Sequence, residues 1–462
     1  MEWDRLLSAT RIRELFGGSD SLKSPDDRRS PFERDYGRTI FSTPVRRLQD
    51  KAVFPLVQRD SVRTRLTHSI EVSSVARSLG AMVAKWLVDN HELPNDLAPA
   101  VEVIAATCGI LHDLGNPPFG HAGEQAISEW CKKIADVETR LGFKPQCVQD
   151  FLQWNGNAQT LRLIGRLQVL SDEYGLNLTC ATLSAACKYI APSHGIDKNR
   201  HDWSKAGYFF SENSLIQKVR EATGTGAARH PLTFLVEAGD DIVYSAVDLE
   251  DGIKKRLLTW DRLENELLQK NGACEHTSKA LKLARDKIGN AMRGFARDDA
   301  LVQAFRTYAI GAVVPSVFEE FKKNYKRIIA GDYHDELTVV CSAAALVRSC
   351  KEIAHDVVYQ SDEVLRVELM GRRVIQDLLS VFWEGAASAG TLPKGKSFAE
   401  KTYSLLSNNY RQVFEDVLSR KPSGNDTDAA PEEYYRLQLV CDYVAGMTDT
   451  FATNLHKELT NA

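Results

Sequence analysis

The chain has 462 residues, 43% hydrophobic and 26% charged, with a formal net charge of -4. That is the composition of an ordinary soluble globular protein, long enough for two or three domains or one large helical one, with no global nucleic-acid footprint. The nine cysteines form no CxxC pair, which excludes a zinc-ribbon or redox signature and predicts reduced, mostly buried thiols in a cytoplasmic protein.

The N-terminus, M-E-W-D-R-L-L-S-A-T-R-I-R-E, is charged throughout and lacks the apolar run of a signal peptide. No stretch of about 18 uninterrupted apolar residues occurs, which argues against a membrane span. Residues 1–40 are polar, and S-D-S-L-K-S-P-D-D-R-R-S-P predicts a mobile or loosely docked arm. From Thr43 the chain turns basic, with Arg46, Arg47, Lys51, Arg59, Arg63 and Arg65 close together. A solvated helix face is the ordinary explanation of such a cluster. Its position directly before His68 favours anion binding.

His68 opens a helix whose apolar positions Val72, Val75, Ala76, Leu79, Met82, Val83 and Trp86 recur at three- and four-residue steps. His68 shares that face, one turn earlier. Residues 97–114 read as a second buried helix, stopped by Asn116-Pro117-Pro118. Helical periodicity resumes from His121 to Lys133, and again over 159–190. Residues 192–213 form a long polar and aromatic insertion of the kind that serves as a lid or binding loop. A Gly-rich connection, 222–231, leads into P-L-T-F-L-V-E-A-G-D-D-I-V-Y-S-A-V-D-L-E-D-G, helical in spacing around an acidic interior. Amphipathic helices fill 260–420, a loop follows at 421–433, and the last helix holds C-D-Y-V-A-G-M-T-D-T-F. Strand alternation is scarce. Residues 58–64 and 365–369 are the only candidates for a short hairpin, so the predicted architecture is all-α.

The chemistry centres on residues 108–124, C-G-I-L-H-D-L-G-N-P-P-F-G-H-A-G-E. A lone histidine on an apolar helix face is usually a satisfied core residue. Adjacent His112 and Asp113 closing a buried helix are different, because a buried lone carboxylate needs a partner. His68, His112, Asp113 and one carboxylate of Glu237, Asp240 or Asp241 form a candidate metal set. Mixed imidazole and carboxylate donors suit Mn²⁺, Fe²⁺, Co²⁺ or Zn²⁺, and Mg²⁺ where substrate phosphate completes the shell. His121 and Glu124, three apart, suit a histidine oriented by a carboxylate for proton transfer. An N-terminal cap with an acidic first turn is the plainer alternative. No Walker-type loop occurs.

His68, His112-Asp113 and Asp240 resemble the H…HD…D signature of the HD-domain superfamily of metal-dependent phosphohydrolases. The likeness is closer still to the deoxyguanosinetriphosphate triphosphohydrolase family. It rests on R-R-L-Q-D-K, V-R-T-R-L-T-H-S, L-H-D-L-G-N-P-P-F-G-H-A-G-E, G-N-A-Q-T-L-R-L, E-A-G-D-D-I-V-Y-S-A-V-D-L-E-D and D-Y-V-A-G-M-T-D, in that family's order. The resemblance implies hydrolysis of a dNTP, dGTP first, to deoxynucleoside and tripolyphosphate, with Mn²⁺ or Mg²⁺ as cofactor. It implies metal ligation by His68, His112, Asp113 and Asp240, the first Asp of the pair, and proton transfer by His121 with Glu124. Arg65 matches a phosphate contact. Tyr244 and Asp248, four and eight residues after Asp240 and so on one helix face, match phosphate- and sugar-side contacts. Glu368 resembles an acidic residue near the base.

The family's R-R-L-x-x-K-T-Q-V-F reads R-R-L-Q-D-K-A-V-F here, one residue short and without the sugar-facing Gln, so Val53 or a displaced Gln49 takes that place. The segment before G-N-A-Q also departs from the family, with Gln153 and Asn155. The expected organisation is an N-terminal arm (1–40), an HD core (41–260) and a C-terminal helical region (261–462) that completes the nucleotide pocket and oligomer contacts. The resemblance further implies a homo-oligomer, tetramer or hexamer. Two other readings stay open. One is an HD-superfamily phosphatase or phosphodiesterase acting on another nucleotide. The other is a nucleotide-regulated assembly that binds single-stranded nucleic acid.

Overall fold

Thr64 starts the first long helix, Arg65–Asp89 (α1), by accepting the Thr67 N–H on its hydroxyl while Thr67 returns the bond to the Thr64 N–H. Val72, Ala76, Leu79, Val83 and Leu87 then repeat every three or four residues and are all buried. Helix Ala98–Leu111 (α2) lies against α1 and is buried along most of its length. Their approach depends on Gly109, where a Cβ would stand 2.6 Å from Ser73 Cα. The Ser73 hydroxyl donates to Ala106 O at 2.8 Å across the same contact. This pairing sets the first turn of α1 beside the last turn of α2, so His68 and His112 meet with ring centroids 5.4 Å apart.

The computed structural model describes residues 1–19, 26–52, 63–134, 137–141, 144–168, 174–272, 274–289, 294–388, 397–419 and 430–460. These are overwhelmingly helical, as expected of an all-α fold. After α2 come Gly120–Lys133 (α3), Gly156–Arg162 (α4), Pro231–Lys254 (α5), Gly294–Ala330 (α6), Asp362–Ser388 (α7), Glu432–Ala445 (α8) and Asp449–Thr460 (α9), with other helices between them. Proline at its first position and the His230 cap begin α5, which is buried from 231 to 253 except at Asp240 and Tyr244. One core cluster gathers α1, α2, α5 and α6, and draws on both sides of residue 260, Leu249 and Phe305 among its members. A second gathers α3, α7 and α8, with Phe119, Trp130, Phe382 and Leu437. The stretch 108–124 crosses between them: Cys108 belongs to the first cluster and Phe119 to the second.

Three expectations are corrected. The mobile or loosely docked segment expected at 19–31 falls partly on residues 20–25, outside the described residues, and the rest of the expected arm 1–40 packs against the protein. Trp3, Leu6, Leu7 and Phe32 enter the first core cluster. Arg11 and Asp35 form a buried ion pair at 2.8 Å, which removes the cost of burying either charge alone. Residues 365–369 are not a strand but lie inside α7, whose buried positions follow helical spacing. Residues 58–62 of the other expected strand lie outside the described residues, and Thr64 forms only an isolated antiparallel bridge with Ala52. The sheet among the described residues is a parallel pair, Ala191–Pro192 (β1) and Ala206–Tyr208 (β2), rather than a hairpin.

One described helix, α6, is long and apolar enough to cross a membrane. Its Leu301, Val302, Phe305, Val313, Val317 and Phe321 are buried in the first core cluster, as a core helix requires. All nine cysteines are free, and seven are buried.

Candidate active site

At the end of α2 the His112 Nδ1 donates to Gly109 O at 2.7 Å, which fixes the tautomer and leaves Nε2 as a bare lone pair. That Nε2 is buried with no hydrogen-bond partner. It stands 3.6 Å from Asp240 Oδ1 and 3.6 Å from Asp113 Oδ1. From the first turn of α1, His68 Nε2 lies 3.1 Å from the same Asp240 oxygen. One ligand atom each from His68, His112 and Asp240 falls within 4.8 Å of the others. An orphaned buried imidazole nitrogen beside a carboxylate is a poor arrangement by itself and a good one around a divalent cation. The donor set therefore fits a metal.

Asp113 borders this trio. Its Oδ2 accepts from Arg65 Nη1 at 2.5 Å and its Oδ1 from Asn116 Nδ2 at 2.5 Å. Burial pushes the Asp113 carboxyl up, but Arg65 and the two imidazoles outweigh it and hold it down to about 2. Burial likewise opposes ionisation of Asp240, yet His112, the His68 hydrogen bond and Lys188 hold it well below the ordinary carboxylate range. Asp241 and Glu237, the other carboxylates in this stretch, are engaged elsewhere. Asp241 accepts from Lys351 at 2.7 Å and from the Thr338 hydroxyl at 2.5 Å. Glu237 accepts from Arg229 at 2.8 Å and pairs with His201 at 2.6 Å. His201 and Glu336 make a second metal-sized group with Glu237, but Arg229 and Lys188 already balance that glutamate. The His201–Glu237 contact fastens the 192–213 insertion to α5.

Across the turn, α3 carries His121 and Glu124. Glu124 Oε2 accepts from His121 Nδ1 at 2.8 Å, and its Oε1 accepts the Gly156 N–H at 2.7 Å. Burial raises the Glu124 carboxyl, and the bonds to His121 and Gly156 outweigh it, so the carboxylate form is favoured. The His121 ring is 84% exposed, and its Nε2 has no partner among the described residues. Gly156 opens α4 and touches both halves of the site. A Cβ there would stand 2.4 Å from Asn116 Oδ1 and 2.9 Å from Glu124 Oε1. The contacts Asp113–Asn116–Gly156–Glu124–His121 thus run unbroken from the border of the metal-fitting trio to the exposed imidazole.

The expected substrate contacts divide. Arg65 is beside Asp113, with its Nε buried and unpartnered. Tyr244 is the second opening on the buried face of α5, its ring stacked on Tyr359 at 6.1 Å. Asp248 is buried and accepts from the Tyr359 hydroxyl at 2.5 Å. Burial raises the Asp248 carboxyl to about 7, partly countered by Tyr359 and His68. Glu368 is half-buried on α7, the helix packed along α3. Gln49 is exposed in the short turn Leu48–Asp50, and Val53 lies outside the described residues.

The basic cluster before His68 does not form one anion-binding patch among the described residues. Arg63 is held by Glu71, Glu250 and Asp251. Arg47 donates to Gly446 O and Lys51 to Asn116 O and Ala445 O. Among the described arginines of the cluster, Arg65 turns to the site.

Sequence reasoning missed Tyr359 and Gly156. Tyr359 ends the π-helical turn Ala354–Tyr359, an irregularity that periodicity does not reveal. Gly156 stands within G-N-A-Q-T-L-R-L, whose spacing alone does not show what it touches.

The HD domain family matches residues 65–150, and the phosphohydrolase-associated domain family matches residues 337–458. The chain is 36% identical to the deoxyguanosinetriphosphate triphosphohydrolase-like protein of Listeria monocytogenes, over 99% of each chain. It is 33% identical to the like-named protein of Synechocystis, over 99% of each. To the deoxyguanosinetriphosphate triphosphohydrolase of Enterobacter it is 32% identical, over 93% of each. The chain belongs to the deoxyguanosinetriphosphate triphosphohydrolase family. It is a hydrolase, and the metal-fitting trio and the His121–Glu124 pair both lie within its HD domain match or, for Asp240, on the helix packed against it.

Proposed function

We propose that the chain hydrolyses deoxynucleoside triphosphates, dGTP first among them, to the deoxynucleoside and intact tripolyphosphate. One observation carries this reading: the partnerless His112 Nε2, gathered with His68 and Asp240, lies one turn of chain from an exposed imidazole backed by a buried carboxylate. His68, His112, Asp113 and Asp240 would hold the cation, Mn²⁺ or Mg²⁺. Bound there, it supplies Lewis-acid polarisation of the α-phosphate and a means of activating water.

The protein's own groups do the rest. Water oxygen bonds to the α-phosphorus, giving up a proton to bulk solvent, and the bond to the nucleoside 5′-oxygen breaks. The 5′-oxygen takes a proton from His121 Nε2, while Glu124 on Nδ1 stabilises the imidazolium that donates it. Arg65 meets phosphate oxygens from its place beside Asp113. Tyr244 and Asp248, joined to Tyr359, border the sugar, and Glu368 on α7 lies toward the base. Gln49 or Val53 takes the place of the family's sugar-facing glutamine.

Mass-resolved products from the four dNTPs, with and without Mn²⁺, test this. Tripolyphosphate and deoxynucleoside support it. Monophosphate with pyrophosphate, or stepwise phosphate release, refutes it and favours another nucleotide phosphohydrolase. The family likeness also supports a cytoplasmic homo-oligomer, which light scattering tests; a monomer at all concentrations refutes it.

A second reading has one observation behind it. The Phe16 and Tyr174 rings stack at 6.2 Å, flanked by Arg13, Arg166 and Lys218. Such a platform fits single-stranded nucleic acid. Binding that weakens steeply with salt supports it, and no binding at low salt removes it.

A further inference from the structure

We propose that Asp449 is a positioning residue for the His121–Glu124 pair, and that the phosphohydrolase-associated region reaches the reaction through it. This rests on the proton-transfer role given above to His121.

Asp449 opens α9 and is buried, 5% exposed. One carboxylate oxygen, Oδ1, accepts the Phe119 N–H at 3.0 Å, and the other, Oδ2, accepts the Ala52 N–H at 3.0 Å. Phe119 caps the start of α3 in a left-handed conformation, φ 62, followed by Gly120 at φ 59. A bulky side chain adopts that conformation only where its surroundings enforce it. The consequence falls on His121, two residues on, because the entry of the chain into α3 sets where its first turn points.

Two further contacts enforce the same turn. The Phe119 ring lies on Gly371 of α7, where a Cβ would stand 2.4 Å from the ring Cγ. Lys51 Nζ donates to Asn116 O, at the turn's start, and to Ala445 O at 3.1 Å. Gly371 and Asp449 both fall in the 337–458 match, so the associated region moulds a turn of the HD domain. Asp449 also fixes Ala52, at the end of the segment that carries Gln49. Asparagine cannot replace it: one end of the amide is a donor and would face an N–H.

The test compares two leaving groups. With dGTP, the 5′-alkoxide needs a proton as it departs. With thymidine 5′-(4-nitrophenyl phosphate), the 4-nitrophenolate needs none. Asp449→Asn and Asp449→Ala are expected to lower kcat on dGTP about 10²-fold, with KM and Mn²⁺ affinity nearly unchanged, and to lower aryl-ester cleavage far less. The His121→Ala/Asp449→Ala double variant should be no slower than His121→Ala alone. Gly371→Ala, which presses on the Phe119 ring rather than on its N–H, should reproduce the pattern and guards against a variant that merely unfolds.

Equal losses on both esters, losses that multiply in the double variant, or wild-type rates would each overturn the proposal. If the aryl ester does not turn over, the double-mutant comparison on dGTP decides alone. If the wild-type protein releases something other than tripolyphosphate, the functional reading fails, while that comparison on the true substrate still reads the link between Asp449 and His121.

Discussion

Gly156→Ala places one methyl group where the two halves of the site meet. The new Cβ would stand 2.4 Å from Asn116 Oδ1 and 2.9 Å from Glu124 Oε1, both well inside contact distance. Neither neighbour yields freely. Asn116 donates to Asp113 at 2.5 Å, and Glu124 accepts from the Gly156 N–H at 2.7 Å and from His121 at 2.8 Å. The strain of forcing an extra carbon into such a contact is about 1–3 kcal/mol. If it appears in the transition state, where Glu124 must hold a charged imidazole, the rate falls about 5- to 150-fold. Steady-state kcat and KM on dGTP, with a thermal melt of the same preparation, measure both parts. The methyl group does not touch His68, His112 or Asp240 and reaches Asp113 only through Asn116, so Mn²⁺ affinity should change less than kcat. An unchanged kcat with an unchanged melt would show that Gly156 does not brace the relay.

Three other perturbations have defined outcomes. His112→Ala removes the partnerless ligand nitrogen and should lower activity on the order of 10³-fold, with loss of one Mn²⁺ site by calorimetric titration; retained stoichiometric binding would contradict it. Asp35→Ala takes away the buried carboxylate beside Arg11, which keeps its bonds to Asn177 O and Pro31 O, and strips acceptors from Thr179 and Thr182. Urea unfolding should show a loss of about 3–5 kcal/mol, with kcat of the folded fraction unaffected. Lys51 gives a pH dependence. Burial pushes its pKa from 10.5 down to about 7, so between those values the unfolded chain holds a proton that the folded protein does not. Stability should rise with pH across that window by up to about 1.4 kcal/mol per unit. Lys51→Met should flatten that slope in denaturation curves taken from pH 7 to 10, and an identical slope in the variant would refute the assignment.

The long helices were legible because burial at every third or fourth position leaves a record in the sequence. Val72, Ala76, Leu79 and Val83 mark α1 without help from the rest of the chain. The His112-Asp113 pair was legible because ionisable residues closing an apolar helix demand partners. The N-terminal segment was misread for the opposite reason. Its apolar residues are few, and Arg11 and Asp35 look solvated until each is seen beside the other and Thr179. Residues 365–369 alternate Leu365, Val367 and Leu369, which mimics a strand over five positions. The wider run of Val364, Gly371, Val374, Ile375 and Leu378 shows the helix. Tyr359 and Gly156 serve the site through contacts with residues distant in the chain, and local periodicity contains none of that information.

The site's position follows from the same packing. The His112–His121 segment must leave one core cluster and enter another within a few residues, so it cannot continue as a helix, and Pro117 and Pro118 prevent it from doing so. The turn itself stays largely buried, with Leu114 in a third core cluster, and the group that reaches the surface is His121 at the start of α3. That is how this chain combines a metal-fitting trio on α1, α2 and α5 with a nearby imidazole that still reaches solvent. Residues 337–458, far along the sequence from the HD pair, wall the start of α3 in the same way. They supply most of the second cluster, including Phe382, Leu437 and Val440 beside Phe119, and without that wall α3 would have nothing to enter.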